Sequence, residues 1–311
     1  MHGPGWQDLN GVMDRLHELA DLARRHAARG VSPEDCPGML LIASGDVTPA
    51  VQVVYEPMLC VILEGAKQTT LGAESYVYRA GDYLVVSADL PVSGQVMQAP
   101  YTALGIPLDP GAIAALMLET GISAIPDAAP KRALAVSRMD DDLIDSVGRL
   151  VRLLERPQDV AVMAPMIRRE ILWRLLAGEH GAMVRQIGVE DGRLGRVRRV
   201  IRSLREDYAK PIRIEHLAEL AGMSETSLHR HFKGVTSMSP LQFQKQVRLQ
   251  EARNRLLGGS RDGGGDVAAV GFAVGYDSPS QFSREYRRQF GRPPGRDLER
   301  LRADPALAMA V

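Results

Sequence analysis

The sequence predicts a multidomain α+β molecule. Its N-terminal half reads as a β-barrel with flanking helices, and its C-terminal half as an all-α region of two helix–turn–helix units joined by a helix. Short runs rich in Val, Tyr, Leu and Ile crowd residues 39–108, whereas apolar residues recur at helical spacing through most of the chain beyond them. Charge divides the chain as well. The whole chain balances 38 Lys and Arg against 38 Asp and Glu, yet residues 193–311 hold 22 basic and 13 acidic side chains and residues 1–192 hold 16 and 25. A half with net charge +9 beside one with −9 fits a module that neutralises phosphates joined to a module with another task. At 311 residues the chain exceeds the usual single-domain size and can bury a core in each half.

Residues 12–28 read as an amphipathic helix with Met13, Leu16, Ala20, Ala23 and Ala27 along one side. From Met39 to Leu108 come VQVVY, LCVIL, SYVY, YLVVS and TALGI, separated by turn clusters at Glu64-Gly65-Ala66-Lys67, Leu71-Gly72-Ala73 and Ala80-Gly81-Asp82. Strands at this spacing suggest a barrel or sandwich. Leu143, Val147, Leu150 and Leu154 then mark one helix, and Ile167, Ile171, Leu175 and Trp173 lie on or near the stripe of a second. Pro157 is expected to end the first and Pro165 to open the second. This gives a unit over 1–178 (barrel about 38–110, helical pair about 140–178), a glycine-marked linker over 179–195 and a helical unit over 196–311.

In the last unit, IRIEHLAELAGMSETSLHRHFK places Ile214, Leu217, Leu220 and Ala221 at helical spacing before Gly222-Met223 breaks the helix and Ser224 caps the next. Leu228 and Phe232, four apart, face inward and leave Thr226, His229, Arg230 and Lys233 outside. DVAAVGFAVGYDSPSQFSREYRRQF repeats the plan. Val267, Val270 and Val274 form one face, Gly275 the turn, Ser278 the cap, and Phe282, Tyr286 and Phe290 the buried stripe. Ser280, Gln281, Arg284, Arg287 and Arg288 remain outside, with Arg284 opposite Arg230 of the first unit.

The second pattern, in VGYDSPSQFSREYRRQFGRPP, closely resembles the C-terminal signature of the AraC/XylS family of bacterial transcription regulators, and SPLQFQKQVRLQEARNRLL resembles that family's linker helix. The likeness covers residues 196–300 and departs from the family in the long glycine-rich loop at 258–266. It implies that Thr226, His229 and Arg230, and Ser280, Gln281 and Arg284, read bases in double-stranded DNA. Lys233, Arg287 and Arg288 are expected on phosphates. From Pro240 to Leu257 the joining segment is 18 residues. That is about 27 Å as a helix, the order of the roughly 34 Å between successive major grooves. Family likeness also implies a surface that meets RNA polymerase, as in an activator.

YEPMLCVILEGAK followed by YRAGDYLVVSADLPVSG resembles the cupin-like N-terminal domain of AraC-type regulators, over about 38–130. A cupin can also be an enzyme, so the rival reading is a cupin-type enzyme fused to a DNA-binding module. Metal-dependent cupins need histidines inside the barrel. His2, His17, His26, His180, His216, His229 and His231 all fall outside the strand-rich region. No metal, cofactor or catalytic residue is therefore expected. There is no GxSxG or GxxxxGK[ST] pattern, and Cys36 and Cys60 lie too far apart for a zinc pair.

A small-molecule effector is then the expected ligand of the barrel, with Tyr55, Glu56, Cys60, Tyr76, Tyr78, Tyr83 and Tyr101 as candidate lining. For each tyrosine, strand packing is the competing account. Cys60 reads either as a small buried hydrophobe or as a reactive thiol. The helical pair suggests either a homodimer surface or packing on the barrel. No apolar stretch is long enough to span a bilayer and MHGPGWQDLN lacks signal-peptide regions, so a cytoplasmic bacterial protein without membrane contact is expected.

Overall fold

A computed structural model describes residues 6–28, 38–123, 132–189, 192–258 and 266–303. Cys36 and most of the glycine-rich loop lie outside them. Helix α1 (Trp6–Ala28) precedes strands β1 (Leu40–Ser44), β2 (Val51–Tyr55), β3 (Met58–Leu71), β4 (Glu74–Arg79), β5 (Asp82–Val86) and β6 (Leu90–Pro107). Then come α2 (Pro110–Thr120), β7 (Leu134–Arg138), α3 (Asp141–Arg152), a 3-10 turn (Leu153–Glu155), α4 (Pro157–Ala177) and α5 (Gly181–Ile187). The remainder is helical: α6 (Arg193–Glu206), α7 (Ile214–Ala221), α8 (Glu225–Thr236), α9 (Pro240–Gly258), α10 (Val267–Ala273), α11 (Pro279–Phe290) and α12 (Pro294–Ala303).

The strands form one antiparallel sheet in the order β1-β6-β3-β5-β7, with β2 also on β6 and β4 also on β3. β3 and β6, 14 and 18 residues long, pair along most of their length, and their register shifts between Ile62 and Lys67. Glu64-Gly65-Ala66-Lys67 is thus a bulge inside a continuous strand and not the expected turn. At Gly65, φ is +78° and a Cβ would sit 2.5 Å from the carbonyl oxygens of Gln98 and Pro100. Such a bulge bends both strands and curls the sheet toward a barrel.

Alternate residues serve two cores, as the two-residue period of a strand requires. Leu59, Val61, Leu63, Val85, Leu104 and Ile106 meet α1, α3 and α4 on the convex side. Cys60, Ile62, Leu84, Val92, Tyr101 and Ala103 line the concave side. This second core continues into the helical half through Leu194, Val197, Ile201, Leu228, Phe232 and Phe243. A third core, with Leu249, Leu256, Val274, Phe282, Tyr286 and Leu298, is separate.

Several expectations shift. In α1, Met13 is exposed and Leu19 and Leu22 take its place, because the helix also packs against α3. Pro157 opens α4 and Pro165 lies within it, since Val160 and Ala164 are buried on the face of Ile167 and Ile171 and extend the helix backward. A proline at the first helical position forfeits no hydrogen bond. Trp173 is 38% exposed, away from buried Ile171 and Leu175. The glycine-marked stretch holds α5, buried through Val184 and Ile187, and α6 already begins at Arg193. β7 adds a strand beyond residue 110.

Candidate nucleic-acid interface and effector site

Each helix–turn–helix unit is built from a local capping device. Gly222 ends α7 in the left-handed conformation at φ +59°, and the Ser224 hydroxyl then accepts the Ser227 N–H at 3.3 Å to start α8. Ser278 accepts the Gln281 N–H at 3.4 Å at the start of α11, with Pro279 in its first turn. Leu228 and Phe232 are fully buried, Phe232 meeting Phe243 of α9 edge-on at 5.5 Å between centroids. In the second unit Phe282 and Tyr286 are buried. Phe290, Val267 and Val270 are half-buried, so that stripe is narrower than the spacing suggested. Leu220 is exposed, because α7 buries Leu217, Ala218 and Ala221 instead.

Thr226, His229, Arg230 and Lys233 of α8, and Ser280, Gln281, Arg284, Arg287 and Arg288 of α11, are all exposed. None of the five cations in that set forms an ion pair with a carboxylate among the described residues. The acid of α11 is otherwise engaged. Glu285 accepts Lys245 of α9 at 2.8 Å and the Tyr276 hydroxyl at 2.9 Å. Burial pushes its carboxyl upward, but those bonds outweigh burial and hold it below the ordinary glutamate range.

The helix α9 ties the two units together. Arg248 donates to the carbonyl oxygens of Tyr208 at 2.6 Å, Gly275 at 2.8 Å, Lys210 at 3.0 Å and Ala209 at 3.2 Å. The contact is close enough that a Cβ on Gly275, where φ is +90°, would lie 2.2 Å from the Ala209 oxygen. Arg253, 7% exposed, forms a two-pronged pair with Asp297 of α12, which also accepts the Tyr286 hydroxyl at 3.0 Å. α9 is 19 residues long, about 28 Å.

On the sheet's concave face the structure brings together Tyr55, Cys60, Tyr78 and Tyr101, with Tyr76 packed against their cluster. Burial pushes the Cys60 thiol up despite the nearby Lys67, and pushes Tyr78 and Tyr101 well above the ordinary phenol range. Tyr76 donates to Glu74 at 2.9 Å and is pushed up to about 12 by burial and that carboxylate. Two expected members lie elsewhere. Tyr83 is on the convex face, edge-on to His180 at 6.1 Å, because β5 presents it with Val85 and not with Leu84. Glu56 is exposed between β2 and β3 and pairs with Arg205 of α6 at 3.2 Å. The residue missed is Lys67, whose ammonium stands 5.5 Å and 5.9 Å from the ring centroids of Tyr55 and Tyr101. Its place inside a strand was hidden by a turn-like neighbourhood.

A family model described as the N-terminus of AraC-type transcriptional regulators matches residues 35–183, and a helix-turn-helix domain model matches 217–300. The chain belongs to the AraC/XylS family. Members of this AraC/XylS family are transcriptional regulators. The HTH-type transcriptional activator RhaS of Salmonella schwarzengrund is 27% identical over 168 residues, which is 53% of this chain and 57% of that protein. The chain thus spans little more than half the length of the curated relatives it matches. Among solved structures, an apo variant of ToxT from Vibrio cholerae covers 84% of this chain and 97% of its own at 10% identity, with a TM-score of 0.56. Wild-type ToxT with bound unsaturated fatty acid gives 0.53, at 10% identity over 84% of this chain and 93% of its own. At that identity the likeness is one of fold: a sheet-bearing half followed by helix–turn–helix units.

Proposed function

We propose that this AraC/XylS-family chain is a sequence-specific transcriptional regulator that reads double-stranded DNA with α8 and α11 in successive major grooves. The observation that carries it is the pair of N-capped helices on one rigid connector, each presenting polar side chains and cations that no carboxylate neutralises among the described residues. Arg230 and Arg284 serve guanine O6 and N7, Thr226, His229, Ser280 and Gln281 serve neighbouring base edges, and Lys233, Arg287 and Arg288 hold phosphates. The barrel within residues 1–178 is the sensor for a small effector, as the ligand-bound ToxT structure supports for a protein of this fold. The chain acts in the bacterial cytoplasm by binding and not by turnover, and activation runs through contact with RNA polymerase.

A homodimer through α4 fits the same reading. Val162, Met166 and Trp173 are 66%, 61% and 38% exposed, spaced at four and seven residues on one helix face.

Selection of binding sites from random duplexes with the full chain tests the main claim. A site with two elements about 10 to 10.5 base pairs apart is expected, with affinity falling steeply as salt rises. Equal binding to all sequences would leave only a nonspecific basic surface.

A further inference from the structure

The concave face of the sheet is apolar except at one end, where Lys67 projects among Tyr55, Tyr78 and Tyr101. No Asp or Glu pairs with that ammonium among the described residues; its neighbours are two aromatic faces, the Tyr55 hydroxyl and the Cys60 thiol. Glu74, near the same face, is committed to Arg132 at 2.8 Å and to the Tyr76 hydroxyl. Tyr78 is satisfied by Thr69 at 2.7 Å, but the Tyr101 hydroxyl, in a residue only 1% exposed, makes no hydrogen bond among the described residues. A buried donor without an acceptor is costly, and so is an ammonium taken from water without a counter-ion. A donor without an acceptor and an ammonium without a carboxylate stand on one wall, and an anion would serve both.

We propose that this face binds a monocarboxylate with an apolar body, its carboxylate seated between the Lys67 ammonium and the Tyr101 hydroxyl. This deepens the reading of the barrel as an effector site and rests on it. Lys67 supplies one positive charge, so one negative charge is matched and a phosphate dianion would carry an excess. Tyr101 stays a phenol at neutral pH and can only donate to an anion. The walls around them, Ile62, Val92, Val96 and Ala103, suit a hydrocarbon or aryl body. Gly94 leaves room for the lysine stem on this face, since a Cβ there would stand 3.0 Å from Lys67 Cε.

The test is calorimetry and thermal unfolding of the full chain with octanoate and benzoate, against octanamide and benzamide, for the wild type, Lys67→Met and Tyr101→Phe. At least one acid is expected to bind about tenfold or more tightly than its amide, the scale of a charge-assisted hydrogen bond. Lys67→Met should abolish that preference, and Tyr101→Phe should weaken the acid more than the amide. Without ligand, Tyr101→Phe should unfold at the wild-type temperature or above it, because it removes a buried donor that has no acceptor among the described residues. A lower unfolding temperature would make the Tyr101 hydroxyl a structural tie and overturn the proposal. Acid and amide binding alike, with Lys67→Met indifferent, would overturn the carboxylate while keeping an effector site. Binding of none of the four compounds would count against both.

Discussion

The two helix–turn–helix units share a plan and differ in what holds them. The core of the first is continuous with the concave face of the barrel, one cluster running from Cys60 and Tyr101 to Leu228, Phe232 and Phe243. The end of its recognition helix touches the barrel as well: the Ala133 N–H donates to the Val235 oxygen at 3.4 Å, and a Cβ on Gly72 would meet Ser237 at 3.1 Å. The second unit has its own core and is tied to the first by polar contacts from α9. A change of packing inside the barrel therefore reaches α8 directly and α11 only by carrying α9 with it. This asymmetry gives a sensor a physical route to one half of a two-part DNA site.

The largest way to break the comparison is Asp297→Ala. Removing one partner of a buried pair leaves Arg253 uncompensated and should cost about 3–5 kcal/mol. If the second core is independent, hydrogen exchange should show the loss in residues 266–303 and the end of α9 while the barrel and α8 keep their protection. Equal loss everywhere would make the three cores one cooperative unit. Next in size are Arg230→Ala and Arg284→Ala, each expected to remove about 1–3 kcal/mol of discrimination at its own half of the site. Site selection should relax at one element and leave the other sharp. Arg287→Ala should instead weaken all sequences alike and flatten the salt slope.

How much of this was legible in the sequence depends on how local the signal was. The caps Ser224 and Ser278 and the inward pairs Leu228/Phe232 and Phe282/Tyr286 act within a turn or two, so helix spacing reported them and the outward residues with them. The barrel was legible as strands but not as faces. Tyr78 and Tyr83 are an odd number of residues apart and fall on opposite faces, a parity that a lining chosen by region passes over. Lys67 was hidden because Glu64-Gly65-Ala66 becomes a bulge only through contact with the carbonyls of β6. α6 overlaps the expected linker: Leu194, Val197, Val200, Ile201 and Leu204 are buried, but glycine at 188, 192 and 195 obscures where the helix starts.

A smaller effect tests what joins barrel to first unit. Arg205 of α6 reaches Asp89 at 2.7 Å and Glu56 at 3.2 Å, but it is partly exposed, so Arg205→Ala should cost under about 1 kcal/mol. A larger fall in stability would mean that ion pairing, not the shared core, holds the barrel to α6.

The smallest effect separates the units by pH. Glu285 bridges α9 and α11 and has a folded-state pKa below its ordinary 4.5, so its contribution is present above that value and is lost as pH falls through the folded one. Glu285→Gln should be less stable than the wild type near neutrality, and the two unfolding curves should converge in acid. The convergence belongs to the second unit, because Glu285 joins α11 to α9 and none of its bonds reaches the barrel or α8. Following hydrogen exchange in α11 alongside exchange in α8 distinguishes the cases. If acid loosens α8 in step with α11, the polar ties of α9 bind the units into one body, and the barrel's grip on the first unit extends to the whole DNA-reading surface.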